Sequence, residues 1–188
     1  MNEKIKKLCL GIGIALFAVA AGWLLVWQGS VHVAKNQAAR TVETLSSLLP
    51  EPQGAAPEER TDNAMPVLPL KGTDYVALLE MPAYGLCLPV ADRWGSTSRQ
   101  PCRYSGSVYD GSLKLGATSQ AGQFAFYREI SVGDSLYLTD MSGSRYRFQV
   151  ADIRYVDEVD EQALSRDASV VIFIYNVYGW DNIVLYCQ

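Results

Sequence analysis

Four cysteines, one histidine and a scatter of arginines are the residues of this 188-residue chain whose types suit nucleophilic or acid–base chemistry. With a single histidine, His32, any mechanism that uses an imidazole as base or metal ligand has to use that one. His32 stands just beyond a long apolar run and far in sequence from three of the four thiols, and it reads as an interfacial polar residue. Cys9 lies inside that run. Cys87 sits in LCLPV, an apolar setting that raises a thiol pKa and suppresses the reactive thiolate. Arg128, Arg145, Arg147 and Arg154 read as solvated strand-edge or helix-edge residues. No His/Cys cluster has metal-ligand spacing and no glycine loop is built to cradle phosphate, so no metal or cofactor is implied. With 16 Lys+Arg against 20 Asp+Glu, the net charge is −4, and nucleic acid is set aside as a partner.

The elements that must position these residues divide the chain. Residues 1–7 carry Lys4, Lys6 and Lys7 against Glu3 and read as a cytoplasmic basic tail. Residues 8–27, LCLGIGIALFAVAAGWLLVW, contain no charge, and about 20 apolar residues cross a bilayer core. The expectation is one transmembrane helix, cytoplasmic at its N-terminus, with the C-terminal part outside the cell. A cleaved signal peptide is the rival, since Ala18-Val19-Ala20 offers a small-residue cleavage pattern, but apolar sequence continues through Leu24, Leu25 and Val26. Residues 28–73 read as a juxtamembrane helix, with Val33, Ala38, Val42, Leu45 and Leu49 at helical intervals, followed by a proline-rich tether.

Residues 74–188 read as a mainly β domain, because short apolar runs alternate with turn signals. Strands are expected over 75–80, 113–117, 135–140, 145–156, 169–175 and 183–187. Gly143 supplies the hairpin after Asp140 with a residue free to take positive φ. Along 145–156 the apolar phase switches between Val150 and Ile153, which predicts a bulge near Ala151-Asp152. SVVIFIY, residues 169–175, reads as a strand buried on both faces. Short helical turns are expected over 123–130 and 158–164.

The ordered blocks YVALLEMPAYGLCLPV (75–90), PCRYSGSVYDG (101–111), LKLGATSQAGQF (113–124), ISVGDSLYLTD (130–140) and VVIFIYNVYGWDNIVLYC (170–187) together resemble the sortase family. These are membrane-anchored cysteine transpeptidases of Gram-positive bacteria. The resemblance covers 74–188 and implies an eight-stranded β-barrel. It also implies a Cys nucleophile that attacks a sorting-signal peptide, a His that protonates the leaving amine and an Arg that stabilises the oxyanion. The position matching the His holds Thr118, the position matching the Cys holds Tyr175, and the position matching the Arg holds Asn182. A threonine hydroxyl cannot shuttle protons near neutral pH, a phenol of pKa about 10 is a poor substitute for a thiol, and an amide brings no positive charge. The expectation is a catalytically silent domain. Cys102 and Cys187 stand where the family often has further cysteines, which points to a structural role or a disulfide.

Two uses of such a domain follow from the resemblance, and the residues leave both open. The family's groove still holds a sorting-signal-like peptide, with Tyr175, Tyr178 and Trp180 as its aromatic surface, in an accessory role in cell-surface protein anchoring or pilus assembly. Alternatively these rings fill the space of the lost groups and seal the groove. An active transpeptidase or hydrolase with unusual residues, and a structural membrane partner of a surface complex, are the competing functions.

Overall fold

The computed structural model describes the backbone of residues 3–49, 53–54, 63–95, 100–120, 122–179 and 181–188, and the side chains of these residues except 3–11, 24–35 and 53–54. Cys9, His32 and Trp180 lie outside the described side chains.

Helix α1 (Glu3–Leu48) is a single helix of 46 residues, about 69 Å long at 1.5 Å per residue. It takes in the basic tail, the apolar run and the juxtamembrane segment without a break. Among the described residues no helix is long and apolar enough to cross a membrane. A spanning segment over 8–27 is therefore a helix here, not a demonstrated span, because the described side chains of the run extend only from 12 to 23.

Among the described residues ten strands follow: β1 (Gln53–Gly54), β2 (Leu68–Leu70), β3 (Thr73–Met81), β4 (Leu86–Ala91), β5 (Cys102–Ser105), β6 (Leu113–Thr118), β7 (Ser135–Asp140), β8 (Ser144–Val156), β9 (Val170–Tyr175) and β10 (Asn182–Cys187). A short helix α2 (Glu161–Leu164) precedes β9, capped by the Asp160 side chain on the Ala163 N–H. Eight of the strands close a ring, β3-β4-β5-β6-β9-β10-β8-β7, while β1 adds to β8 and β2 to β3. Closure leaves the ring without a free edge.

Alternation drives the closure. Leu113, Leu115, Ala117, Val170, Ile172, Ile174, Ile183 and Leu185 point into one core with Val76, Leu79, Leu136, Leu138 and Val150. The alternate residues Val171, Phe173, Val184 and Tyr186 point outward and are covered by Leu164 and the 156–168 connection. This explains why 170–174 is buried throughout. The bulge expected near Ala151 is present: Tyr186 pairs with Asp152 and Cys187 with Val150, so Ala151 is skipped. Gly143 takes φ 84 in the expected hairpin. Of the helical turns, 161–164 forms one, whereas 122–129 is a run of turns.

The 28–73 segment behaves differently from a stalk and tether. Ala38, Val42 and Leu45 form one stripe of α1, continued by Leu49 just past its end, that packs on the barrel, with Leu45 fully buried against Tyr75 and Leu78. Met65 joins the core and β2 pairs with β3, so the folded unit recruits residues ahead of Asp74. Leu45→Ala is accordingly expected to cost about 2–5 kcal/mol in chemical unfolding. A change near zero would mean that α1 does not dock.

Candidate functional site

The three positions singled out in the sequence arrive at one end of three adjacent strands. β6 and β9 run parallel in register from Leu113 opposite Val170 to Thr118 opposite Tyr175, so these two side chains finish next to each other. β10 runs antiparallel to β9 with Ile183 opposite Ile174, which starts Asn182 beside the same end. By alternation, Thr118, Tyr175 and Asn182 share the outer face with Gly116, Phe173 and Val184.

Each is held for a different reason. Thr118 is 1% exposed and its N–H donates to Gln123 Oε1 at 3.2 Å, while its Oγ1 has no hydrogen-bond partner among the described residues. Asn182 uses both ends of its amide structurally: Oδ1 accepts the Asn176 N–H at 3.0 Å and Nδ2 donates to the Asp157 carbonyl at 2.8 Å. Asn176 Oδ1 accepts from the Ser119 hydroxyl at 3.2 Å and from the Tyr178 N–H at 3.0 Å, which ties the β9–β10 loop to the end of β6. Burial raises the Tyr175 phenol above its ordinary pKa, with Tyr104 and Glu158 adding to it, so the phenolate is scarcer still. Tyr178 stands 77% exposed on the same loop. Arg128 donates to Asp181 Oδ2 at 3.2 Å, beside Asn182, and to the Tyr127 hydroxyl at 3.0 Å, so this nearby cation is already paired.

Trp94, which the sequence reading passed over, completes the site. It follows the bend at 92–93 after β4, with its ring stacked on Tyr175 (centroids 5.9 Å, 21°) and edge-on to Phe173 (5.1 Å, 76°). Tyr104 meets Phe173 from another side at 5.4 Å. Gly116 makes this possible, because a Cβ there would overlap the Trp94 ring and fall 2.6 Å from Phe173 Cζ. A glycine inside an apolar strand is the signal that marks such a close approach.

Among the described residues Cys87, Cys102 and Cys187 form no disulfide, and that alternative gives way to burial of Cys102, whose Sγ donates to the Gln100 carbonyl at 3.3 Å, and of Cys187. Burial pushes Cys187 up to about 12. Burial, with Glu80 adding and Arg145 opposing, pushes Cys87 up to about 11. Cys87 lines a cavity of about 300 Å³ between α1 and the barrel, walled by Ala38, Ala39, Tyr84, Leu86 and Phe126. Because only the thiolate reacts, Cys87 is expected to alkylate about 100-fold more slowly at pH 7 than an ordinary thiol, the rate climbing about tenfold per pH unit until near 11. Labelling at ordinary rates, followed by mass spectrometry, would contradict this. Among the described residues no group of three or more His, Cys, Asp or Glu is placed to hold a metal ion.

No family model matches the sequence, and no curated protein matches it either. Solved structures do match. The Clostridium perfringens sortase D5 transpeptidase is 13% identical and superposes with a TM-score of 0.52 over 61% of this chain and 78% of that one. Sortase C1 from Streptococcus suis is 13% identical, with a TM-score of 0.51 over 61% and 72%. Sortase C-1 from Actinomyces oris is 16% identical, with a TM-score of 0.51 over 59% and 71%. At these identities the likeness speaks for architecture, and with the closed eight-stranded ring it establishes that this chain has a sortase-like fold.

Proposed function

We propose that the chain is a membrane-anchored, catalytically silent sortase-like protein that binds a sorting-signal-like peptide of a surface-protein partner, as an accessory module in cell-surface protein anchoring or pilus assembly. The observation that carries the reading is the convergence of Thr118, Tyr175 and Asn182 at the ends of β6, β9 and β10. That end offers a buried alcohol, a phenol with a raised pKa and an amide bound at both ends, and none of these supplies a ready nucleophile, a proton shuttle or a free cation. Cys87 is no replacement, since its thiol is protonated at neutral pH and faces the α1 side of the barrel.

The exposed aromatic Tyr178 and the half-exposed Val177 beside the groove end support peptide binding. An anchor in the first part of α1 is supported by Ile14, Leu16, Phe17, Val19 and Trp23, all more than 60% exposed on a stretch of the helix ahead of the part that packs on the barrel. Lys4, Lys6 and Lys7 ahead of them favour a cytoplasmic N-terminus and a domain outside the cell.

Calorimetric titration of the full chain in detergent micelles with an extended sorting-signal peptide tests the binding. Saturable heat at submillimolar peptide is expected. No heat at millimolar peptide would show a sealed groove and end the reading.

A further inference from the structure

The outer face of β6 and β9 is shaped around a ring. Its floor at Gly116 is bare main chain, its far wall is the edge of Phe173, and one side is the face of Tyr175. Trp94 fills it. The indole is held there by packing, against the Tyr175 and Phe173 rings, the Gly116 main chain and the outer apolar cluster. The bend that carries it is tied two residues earlier, through the Asp92 ion pair with Arg103, while the Arg93 side chain between them is 89% exposed. These contacts are non-directional apolar and ring contacts, so a peptide ring of similar shape would make the same ones and compete with the tethered indole for the slot.

A second observation on the same face points to a ligand. Thr118 Oγ1 is buried beside Tyr175 and has no hydrogen-bond partner among the described residues. A buried hydroxyl without a partner is unfavourable, and packing has no need of it: valine has nearly the same shape. Main-chain N–H or C=O groups of an extended segment laid along the strand ends would satisfy it.

We propose that Trp94 is an intramolecular stand-in for an aromatic side chain of the peptide partner. The peptide's ring takes the slot over Gly116 when Trp94 leaves, and the peptide main chain supplies the partner that Thr118 Oγ1 lacks. This rests on the peptide-binding reading above and adds to it the residue class the groove selects. A pre-filled slot lowers apparent affinity by the fraction of molecules in which it is free, so removal of the occupant strengthens binding.

The test uses the full chain in micelles and two capped pentapeptides, one with tryptophan at its centre and one all-alanine. In the wild-type protein labelled with 5-fluorotryptophan, the Trp94 fluorine signal, assigned by its loss in Trp94→Phe, shifts on adding the tryptophan peptide and not on adding the alanine peptide. Trp94→Ala binds the tryptophan peptide about tenfold more tightly than wild type, with no gain for the alanine peptide. Thr118→Val, added to Trp94→Ala, weakens the tryptophan peptide about fivefold. A wild-type protein that binds peptide with no shift at Trp94, or a Trp94→Ala variant that gains equally for both peptides, overturns this proposal and leaves peptide binding standing. Absence of binding of any peptide to any variant overturns both. Should Trp94→Ala fail to fold, the fluorine measurement on wild type decides alone.

Discussion

Thr118→His, Tyr175→Cys and Asn182→Arg, introduced together, are expected to raise transfer from a sorting-signal peptide to an amine by about 10³-fold over the unmodified chain, whereas each change alone gives no measurable gain. Side chains that act as one device lose activity as a unit, on the order of 10⁶ for a whole catalytic set, and regain it as a unit. The strands make the combination geometrically sound: residues 118 and 175 are paired neighbours on parallel β6 and β9, and residue 182 begins the adjoining β10. Full recovery is not expected, for two reasons visible in the site. An arginine at 182 gives up the hydrogen bonds to Asn176 and Asp157, and Trp94 still lies over the face where the peptide must enter. Product appearance by mass spectrometry is the measurement. A folded triple variant without product would place the loss in the groove rather than in the three side chains.

Gly106→Ala is expected to be the most damaging single substitution in the barrel, lowering stability by roughly 4 kcal/mol and the melting temperature by about 15 °C. Gly106 opens the β5–β6 connection with φ +75, a region that costs an L residue about 1–2 kcal/mol. The added Cβ would also overlap the Ser112 carbonyl oxygen and sit 2.6 Å from its carbon, and main chain cannot rotate away. Gly111 makes the internal control: its φ is +69, but the nearest atom to a built Cβ is 3.9 Å away, so Gly111→Ala carries the backbone term alone. Equal melting temperatures for the two variants would show that the Ser112 contact is not fixed.

The reach of the sequence can be judged residue by residue. Period-two alternation put 135–140 and 145–156 in place, and the phase switch past Val150 located the skipped Ala151. Two barrel strands gave no such signal. β4 contains Pro89, which cannot donate to a ladder, and β5 is four residues long with a single pair to β4. The proline-rich composition of 51–72 concealed β2 and the buried Met65, because strand pairing at a sheet margin needs only three residues. The helical stripe 38–42–45–49 was legible as a helix, but its docking was not, since an apolar stripe does not name the surface it covers.

At the site, the family resemblance picked out Thr118, Tyr175 and Asn182, and the structure brings those three together. Their surroundings were not readable. Gln123, Ser119 and Asn176 act through hydrogen bonds fixed by loop geometry. Trp94 reaches Tyr175 from 81 positions earlier in the chain, across a contact that only the folded sheet creates. Tyr178 is on the loop as expected, strongly exposed, whereas Tyr175 is committed to a stack and serves more as wall than as open surface.

The central claim is a sortase-like fold whose own residues do not turn peptide over. Incubating the unmodified full chain with a sorting-signal peptide and a large excess of a glycine-based amine, and counting products by mass spectrometry over many hours, tests it most directly. The account predicts intact peptide, no covalent adduct on Tyr175 or Cys87, and product no faster than in the peptide-only control. Accumulation of transfer or hydrolysis product beyond one equivalent of protein, abolished by Tyr175→Phe or Cys87→Ala, would contradict it.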